Sequence, residues 1–364
     1  MNKVLYVTNL PAPYKVLFFE KIGMQVDLTV IYESSNDEER DDSWFDYSSK
    51  NFKVLYLQEF SMKGKLRNNI LKFIKEQGFN KIVISCYATM FERMLIRLFK
   101  RNRIAYAISS DGGFKKSDFF VKKYIKKFYL SGAEYYFSPN NITDEYLRYY
   151  GAKTKIYRYP FTSISNSDIR DFIKFNSNQN NKIELRKKLG IVENRVVVGV
   201  GSFTFRKGWD ILLNAISDND VGYYIIGGKP PQEYIDIVKK KGISHVHFID
   251  FCDREHVFNY YRAADVFCLP TREDIWGLVI NEAMANGLPV ITTYECNAGL
   301  TLVKDEFNGY LFSSKSLNPS VDLSNLLYRV LFKDDLNKMS LNSLNTISDY
   351  TIENMAKSYL EVLK

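Results

Sequence analysis

Residues 264–293 have the sequence ADVFCLPTREDIWGLVINEAMANGLPVITT, and the fold prediction starts from their pattern. The apolar run at residues 264–269 predicts a buried parallel strand, which Pro270 ends. A polar loop follows, and residues 278–286 have helical composition until Gly287 provides a stop. The last six residues predict a second strand. The loop therefore lies at the carboxyl edge of a parallel sheet, where open α/β folds bind their ligands.

Strand and helix patterns alternate on both sides of this unit. A polar region rich in Ser and Asn, residues 160–181, has no strong period and separates two sets of strands. The sequence therefore predicts an α/β fold of two doubly wound, Rossmann-like domains. The predicted parts are a first domain at 1–165, a linker at 166–181, a second domain at 182–345 and a terminal helix at 346–364. The predicted strands are 4–8, 26–32, 54–57, 81–86, 104–109, 135–138, 195–200, 222–226, 246–249, 265–269 and 289–293.

Positive charge is unevenly placed along the 364 residues, whose formal net charge is +8. Residues 1–160 contain 27 Lys and Arg against 17 Asp and Glu, so the whole excess lies there. Residues 119–129, FFVKKYIKKFY, alternate apolar and lysine pairs at helical spacing, which predicts one aromatic and one cationic face. Because lysines are attracted to anionic lipids, we expect peripheral binding to an anionic membrane surface through this helix and the basic cluster at 93–103. The apolar face either enters the lipid interface or packs on the domain, and the plain alternative is a surface helix with solvated lysines.

The motif in residues 264–293 resembles the signature of the retaining glycosyltransferases of family 4, which have the two-domain GT-B fold. In that pattern an acidic residue and Gly/Ser-Phe-Gly precede an apolar run and Glu-Ala-Met-Ala-x-Gly-x-Pro-Val; here DIWG stands at 274–277 and EAMANGLPV at 282–290. Residues 201–215, GSFTFRKGWDILLNA, are similar to the family's Gly-Arg-x4-Lys-Gly-x-Asp-x-Leu segment. With the further matches, the resemblance covers roughly residues 195–312. The opening NLPAPY at residues 9–14 resembles the first loop of polysaccharide-assembly members.

The resemblance implies a nucleoside diphosphate sugar as donor and a role for each site residue. Lys207 and Arg206 would bind the diphosphate, whose negative charge grows as the glycosidic bond breaks. Glu282 would accept hydrogen bonds from the ribose hydroxyls, because a carboxylate can bind a vicinal diol with both oxygens. Asp274, with Glu273 beside it, would hold hydroxyls of the transferred sugar or offer negative charge near the oxocarbenium-like centre. Backbone around Gly277 and Leu278, and the matched residue Phe251, complete the predicted donor site.

This sequence departs from the family pattern at three places. Ser202 replaces the usual first arginine, for which Arg206 is a substitute, and Asp274 replaces glutamate with a shorter reach. Family members often have a histidine near the donor sugar in the first domain, yet all three histidines lie in the second half: His245, His247 and His256. Asp111, at the end of a predicted strand, is our candidate to replace that histidine. The alternative is a turn-forming aspartate.

Other classes of function fit less well. A dinucleotide-dependent oxidoreductase needs G-x-G-x-x-G, and residues 199–204 fail at the last glycine. A nucleic-acid-binding protein would explain the basic first half, but no nucleic-acid module is visible. An inactive GT-B partner subunit is the alternative to an enzyme, because of the departures at Ser202 and Asp274.

The remaining expectations concern metal, cofactor and cell location. We expect no metal and no cofactor other than the donor, since the D-x-D pattern at 218–220 predicts a turn and no Cys or His cluster has zinc spacing. The acceptor is expected to be a glycan, with a lipid-linked glycan favoured. No apolar window approaches the ~18 residues of a membrane span, so we expect a cytoplasmic protein at the inner face of the membrane.

Overall fold

The chain divides into two compact units, one formed by Met1–Ser163 with Thr351–Lys364 and the other by Ile164–Tyr350. Each unit contains one parallel β-sheet whose strands are connected by helices, so the prediction of an α/β fold with two doubly wound sheets is confirmed. Among the residues that the structure describes, no helix is long and apolar enough to cross a lipid bilayer. The computed structural model describes residues 1–34, 49–61, 65–217 and 220–364.

In the described part of the first unit, the sheet has seven strands in the order β3-β2-β1-β4-β5-β6-β7. Its order reverses between β1 and β4, which opens a crevice at their carboxyl ends. The last strand has no counterpart among the predicted ones, because it is a three-residue, half-exposed edge strand. The strands are β1 Lys3–Thr8, β2 Asp27–Tyr32, β3 Lys53–Tyr56, β4 Lys81–Ser85, β5 Ala107–Ser109, β6 Tyr136–Ser138 and β7 Ile156–Arg158.

The helices of the first unit lie between its strands. In one of them, Thr89 and Glu92 form a reciprocal capping box at the start of a helix whose residues Leu95, Ile96 and Phe99 are buried. The helices are α1 Pro13–Gly23, α2 Leu57–Phe60, α3 Leu66–Gln77, α4 Met90–Asn102, α5 Phe120–Leu130 and α6 Asn141–Tyr149.

The sheet of the second unit has six strands in the order β10-β9-β8-β11-β12-β13, and its order reverses between β8 and β11. The strands are β8 Arg195–Val200, β9 Val221–Ile226, β10 Val246–Ile249, β11 Val266–Leu269, β12 Val290–Thr293 and β13 Gly309–Phe312. The helices are α7 Asn166–Asn176, α8 Gln179–Lys188, α9 Trp209–Ala215, α10 Gln232–Lys241, α11 Arg254–Ala263, α12 Leu278–Ala285, α13 Asn297–Leu302, α14 Pro319–Phe332 and α15 Leu336–Ile347.

The segment predicted as a linker, residues 166–181, is helical and belongs to the second unit. Ser165 and Asp168 form a capping box that starts α7, and Phe172 is the one buried residue of that helix. A Cβ placed on Gly287 would lie 2.7 Å from the Phe172 ring, so the aromatic side chain packs directly on the turn after α12. This helix is polar overall and buries a single residue, which is why its sequence resembles a connection.

The last helix, α16 Ile352–Leu363, belongs to the first unit. The Tyr359 ring stacks on Phe137 at 3.9 Å between centroids, and its hydroxyl shares a 2.6 Å hydrogen bond with Ser109. Asn2 Nδ2 donates to Leu363 O at 3.1 Å. The unit boundary lies at Thr351 rather than at residue 346, which falls inside α15.

Candidate functional site

The predicted donor residues of the second unit lie mainly on two loops at the point where the strand order reverses. The loop after β8 contains a short 3-10 turn, Phe205–Lys207, and the loop after β11 runs from Pro270 to Gly277. Parallel strands place their carboxyl ends at one edge of the sheet, so both loops lie at the same edge. The sequence motifs, more than sixty residues apart, therefore meet at one place.

Direct contacts fix the 3-10 turn against the second loop. Thr271 Oγ1 and the Arg272 backbone N–H donate to Arg206 O at 2.9 and 2.7 Å. The Arg272 guanidinium makes a bidentate ion pair with Asp210, at 2.8 and 2.6 Å. Gly208 has a φ of 71°, and a Cβ there would lie 2.0 Å from Pro270 O, so this close approach requires glycine. The turn is held in place before any ligand arrives.

Lys207 and Asp274 form the centre of the site. Lys207 Nζ lies 2.7 Å from Asp274 Oδ2, and the two side chains are 11% and 15% exposed. Arg206 Nη1 lies 3.6 Å from the same carboxylate oxygen and donates to Glu273 O at 2.9 Å. Two cations thus converge on one carboxylate. Lys207 and Asp274 are mostly buried, where charge interactions are stronger than at the surface, whereas Arg206 is 51% exposed. The structure brings together Arg206, Lys207 and Asp274. Glu273 lies on the same loop as Asp274, and its backbone carbonyl oxygen accepts the hydrogen bond from Arg206.

Gly277 connects this loop to α12. It has a φ of 103°, and a Cβ there would lie 2.7 Å from Cys296 Sγ, so the loop passes too close to α13 for a larger residue. The buried Trp276 donates through Nε1 to Asn281 Oδ1 at 2.9 Å, which holds the loop onto the helix. The first N–H groups of α12, beginning at Leu278, have no partner within the helix and carry its positive dipole end. Such a helix start can bind an anion.

Glu282 lies on α12 four residues after Leu278, so both are on the same side of the helix. The hydroxyl of the fully buried Tyr261 donates to Glu282 Oε2 at 3.3 Å. Burial and the nearby negative charge of Glu282 raise the pKa of Tyr261 well above its ordinary value, so this phenol stays a hydrogen-bond donor. A carboxylate is an acceptor of several hydrogen bonds, so Glu282 has the chemistry that diol hydroxyls require.

Phe251 follows β10, two strands away from β8, at the same carboxyl edge of the sheet. Its side chain is 48% exposed, and its backbone N–H donates to Asp250 Oδ1 at 2.7 Å. The structure therefore places Phe251 at the rim of the sheet edge rather than among the charged residues at the reversal point.

Asp111 lies in the first unit, just after β5. Tyr159 donates to Asp111 Oδ1 at 3.3 Å, and burial raises the pKa of the carboxyl although Lys15 and Tyr159 oppose the rise. Lys15 Nζ donates to Thr8 Oγ1 at 2.8 Å. Side chains of Asp111, Lys15, Tyr159 and Ser85 line one small cavity at the carboxyl edge of the sheet. Whether Asp111 takes the place of the family's histidine at the donor sugar is not tested by these contacts, so this role stays a prediction.

Two residues near this cavity were not found from the sequence. Lys15 directly follows the NLPAPY segment, and Glu92 is nearly fully buried at the start of α4. Burial raises the pKa of Glu92 to about 7, against the lowering effect of its hydrogen bond from Thr89. The Thr-x-x-Glu pattern at 89–92 was a visible signal for the helix start. Only the packed structure, however, shows that the carboxyl is buried.

Among the residues that the structure describes, no group of three or more His, Cys, Asp or Glu side chains is arranged to hold a metal ion. Residues 218 and 219 of the predicted D-x-D turn lie outside the described part of the chain.

A comparison with protein families gives one match. The sequence profile of the family described as "Glycosyl transferases group 1" matches residues 181–331, a range that includes every donor-site residue predicted in the second unit.

Two curated relatives match part of the chain. MJ1178 of Methanocaldococcus jannaschii, named an uncharacterized glycosyltransferase, is 32% identical over 140 residues, which are 38% of this chain and 39% of that protein. The O-antigen biosynthesis glycosyltransferase WclY of Escherichia coli is 33% identical over 119 residues, which are 32% of this chain and 33% of that protein. The chain thus spans about a third to two fifths of the length of these relatives.

The solved structure of Anabaena HepE in complex with UDP-glucose is similar over 100% of this chain and 99% of that chain. The TM-score is 0.72 and the sequence identity is 17%. An identity this low shows the fold alone, and the predicted GT-B fold is thereby confirmed.

Proposed function

We propose that this chain, whose residues 181–331 match the group 1 glycosyl transferases, is an enzyme that moves a sugar from a nucleoside diphosphate sugar to a glycan acceptor. The observation that supports this most is the convergence of Lys207 and Arg206 on Asp274, beside the start of α12. These groups have the chemistry that a diphosphate donor requires, and they lie at one reversal point of the sheet.

In the proposed reaction the second unit stabilises the leaving group. Lys207, Arg206 and the N-terminus of α12 provide positive charge for the diphosphate as the glycosidic bond breaks. Glu282 accepts hydrogen bonds from the ribose hydroxyls. When the donor binds, Lys207 contacts the phosphate and weakens its ion pair with Asp274. Asp274 then accepts hydrogen bonds from hydroxyls of the transferred sugar. Because cations and a helix end supply the charge, the proposed transfer needs no metal. The family resemblance implies that the product retains the donor's anomeric configuration.

UDP-glucose is the first donor to test, since the structural neighbour HepE was solved with it. The proposed acceptor is a lipid-linked glycan in the assembly of a surface polysaccharide. Two observations support it: the relative WclY is named for O-antigen biosynthesis, and the first half of this chain is strongly basic. We therefore propose that the protein works in the cytoplasm, at an anionic inner membrane surface.

The test is a panel of UDP- and GDP-sugars measured by thermal unfolding and calorimetry. A ligand that binds the folded state at a concentration of 100 Kd stabilises it by about 2.7 kcal/mol, so one donor should raise the melting temperature clearly. UMP and free glucose serve as controls, because UMP lacks the diphosphate and glucose lacks the nucleotide. Absence of stabilisation by every nucleoside diphosphate sugar would contradict the proposal.

An inactive GT-B partner subunit is the alternative, favoured by Ser202 at the usual arginine position and by Asp274 at the usual glutamate. Such a subunit would bind a donor without hydrolysing or transferring it. Measuring donor hydrolysis and transfer by the purified chain, with the calorimetric panel alongside, separates the two functions.

A further inference from the structure

The outward face of α5 is apolar. Phe120 and Tyr124 are 82% and 66% exposed, and Phe128 continues the same row at intervals of four residues. Phe119, Val121 and Ile125 are exposed beside this row. We call these six residues the α5 ridge. Aromatic side chains rarely lie together in water, and an exposed apolar patch of this kind indicates an interaction surface.

Lysines on this helix contact the protein, among them Lys122, whose Nζ lies 3.3 Å from Asp118 Oδ1 although its side chain is 64% exposed. Lys126 Nζ donates to Asp118 Oδ2 at 2.7 Å and is only 16% exposed, while Tyr150 also donates to Asp118. Lys123 Nζ lies 4.2 Å from the centre of the Tyr149 ring. The helix thus differs from an ordinary surface helix, which buries its apolar face: only Tyr129 and Leu130 of α5 are buried. Of the alternatives left open by the sequence, packing of the apolar face on the domain is wrong.

The surroundings of the α5 ridge are basic. Exposed lysines flank it, and the only carboxylate between residues 112 and 133 is Asp118, whose side chain is 3% exposed. The packed helix α4 adds Arg97, whose guanidinium lies 5.2 Å from the centre of the Tyr129 ring. The flanking lysines are Lys115, Lys116, Lys122 and Lys127. An anionic surface therefore meets cations here without exposed carboxylates of this segment to repel it.

We propose that the α5 ridge enters the boundary between headgroups and acyl chains of an anionic lipid bilayer, while Lys122 and Lys127 contact the lipid phosphates. Aromatic rings with lysines beside them suit this boundary, because the rings displace water and the ammonium groups stay at headgroup level. The binding free energy has an apolar part, which salt does not weaken, and an electrostatic part, which salt weakens by screening. This inference deepens the membrane proposal above and rests on it.

Two variants separate these parts. Phe120→Ser/Tyr124→Ser removes apolar area, and Lys122→Gln/Lys127→Gln removes exposed charge. Lys126 stays unchanged, because it is the closer and more buried partner of Asp118, at 2.7 Å and 16% exposed. Lys122 lies 3.3 Å from Asp118 and is 64% exposed, and glutamine at this position can still donate a hydrogen bond to the carboxylate. The matched control is Val192→Ser/Leu317→Ser in the second unit, where the two side chains are 86% and 99% exposed.

Binding is measured by co-sedimentation with vesicles of phosphatidylglycerol and phosphatidylcholine, and with phosphatidylcholine alone, at low and high salt. We expect the ridge variant to bind about tenfold more weakly for each aromatic ring removed, at both salt concentrations. The lysine variant should bind about fivefold more weakly for each lysine, at low salt only. The control variant should bind like the wild type. All proteins should bind least to vesicles of phosphatidylcholine alone.

Three results would overturn the inference. The first is that wild-type protein does not sediment with anionic vesicles, and the second is that the ridge variant binds as well as the control. The third is that wild-type protein forms a dimer without lipid and the ridge variant does not. Donor binding of the same variants is measured by thermal shift, and the ridge variant should keep it. Lost donor binding with intact vesicle binding would count against the transferase proposal alone.

Discussion

Replacing Lys207 by methionine should destabilise the second unit by about 3 kcal/mol and also weaken donor binding. Removing one partner of a buried ion pair costs about 3–5 kcal/mol, because the other charge stays buried without compensation. Here the side chains of Lys207 and Asp274 are 11% and 15% exposed, and Arg206 lies 3.6 Å from the same oxygen, so the lower end applies. For a unit of this size the melting temperature should fall by about 6–12 °C.

A second substitution separates stability from function. In Lys207→Met/Asp274→Asn the uncompensated charge is gone, so we expect stability within about 1 kcal/mol of the wild type. The cation for the diphosphate is still missing, however, and a charge-assisted contact contributes about 1.5–3 kcal/mol. Binding of UDP, measured by calorimetry, should therefore stay about 10- to 150-fold weaker than in the wild type.

Lys187→Met is the matched control, because Lys187 is exposed on α8 of the same unit; its effect should stay within about 0.5 kcal/mol. A Lys207→Met protein as stable as this control would refute the structural part of the reasoning. A double variant that binds UDP as tightly as the wild type would refute the role of Lys207 at the diphosphate.

Three further predictions concern the ribose, the metal and a buried carboxyl. Glu282→Gln should weaken binding of UDP at least tenfold but leave pyrophosphate binding unchanged, and calorimetry with both ligands checks this; equal losses for both would contradict the ribose role. Turnover should persist within a few-fold in excess EDTA, with a retained anomer seen by NMR, and a complete loss restored by Mn²⁺ would count against the proposal. The pKa of Glu92, about 7 in the folded protein against an ordinary 4.5, means that the folded state alone holds this proton between those pH values. The free energy of unfolding should therefore fall by about 3 kcal/mol as the pH rises from 4.5 to 7, and Glu92→Gln, which keeps the hydrogen bond from Thr89, should remove this part of the slope in urea titrations.

The sequence by itself determined those features that depend on neighbouring residues along the chain. Alternating strand and helix periods predicted two doubly wound sheets, because buried parallel strands and amphipathic helices have different repeats. Pro270 and Gly277 set the limits of the central loop, since each restricts or frees the backbone at its own position. The matched motifs then indicated which loops form the donor site. Where most residues are polar, as in α7 with its single buried Phe172, the composition indicated a connection, and the structure contains a helix there.

Contacts between distant residues were decided only by the tertiary structure. The sequence indicated Lys207 and Asp274 separately, but their 2.7 Å ion pair exists because β8 and β11 are neighbours in the sheet. Helical spacing likewise predicted two faces for α5, but it did not determine which face contacts the protein. Asp118 decides this, because its buried carboxylate binds Lys126 and so turns the α5 ridge outward. Periodicity fixes which residues share a face, whereas the charges and cavities of the packed neighbours fix where that face points.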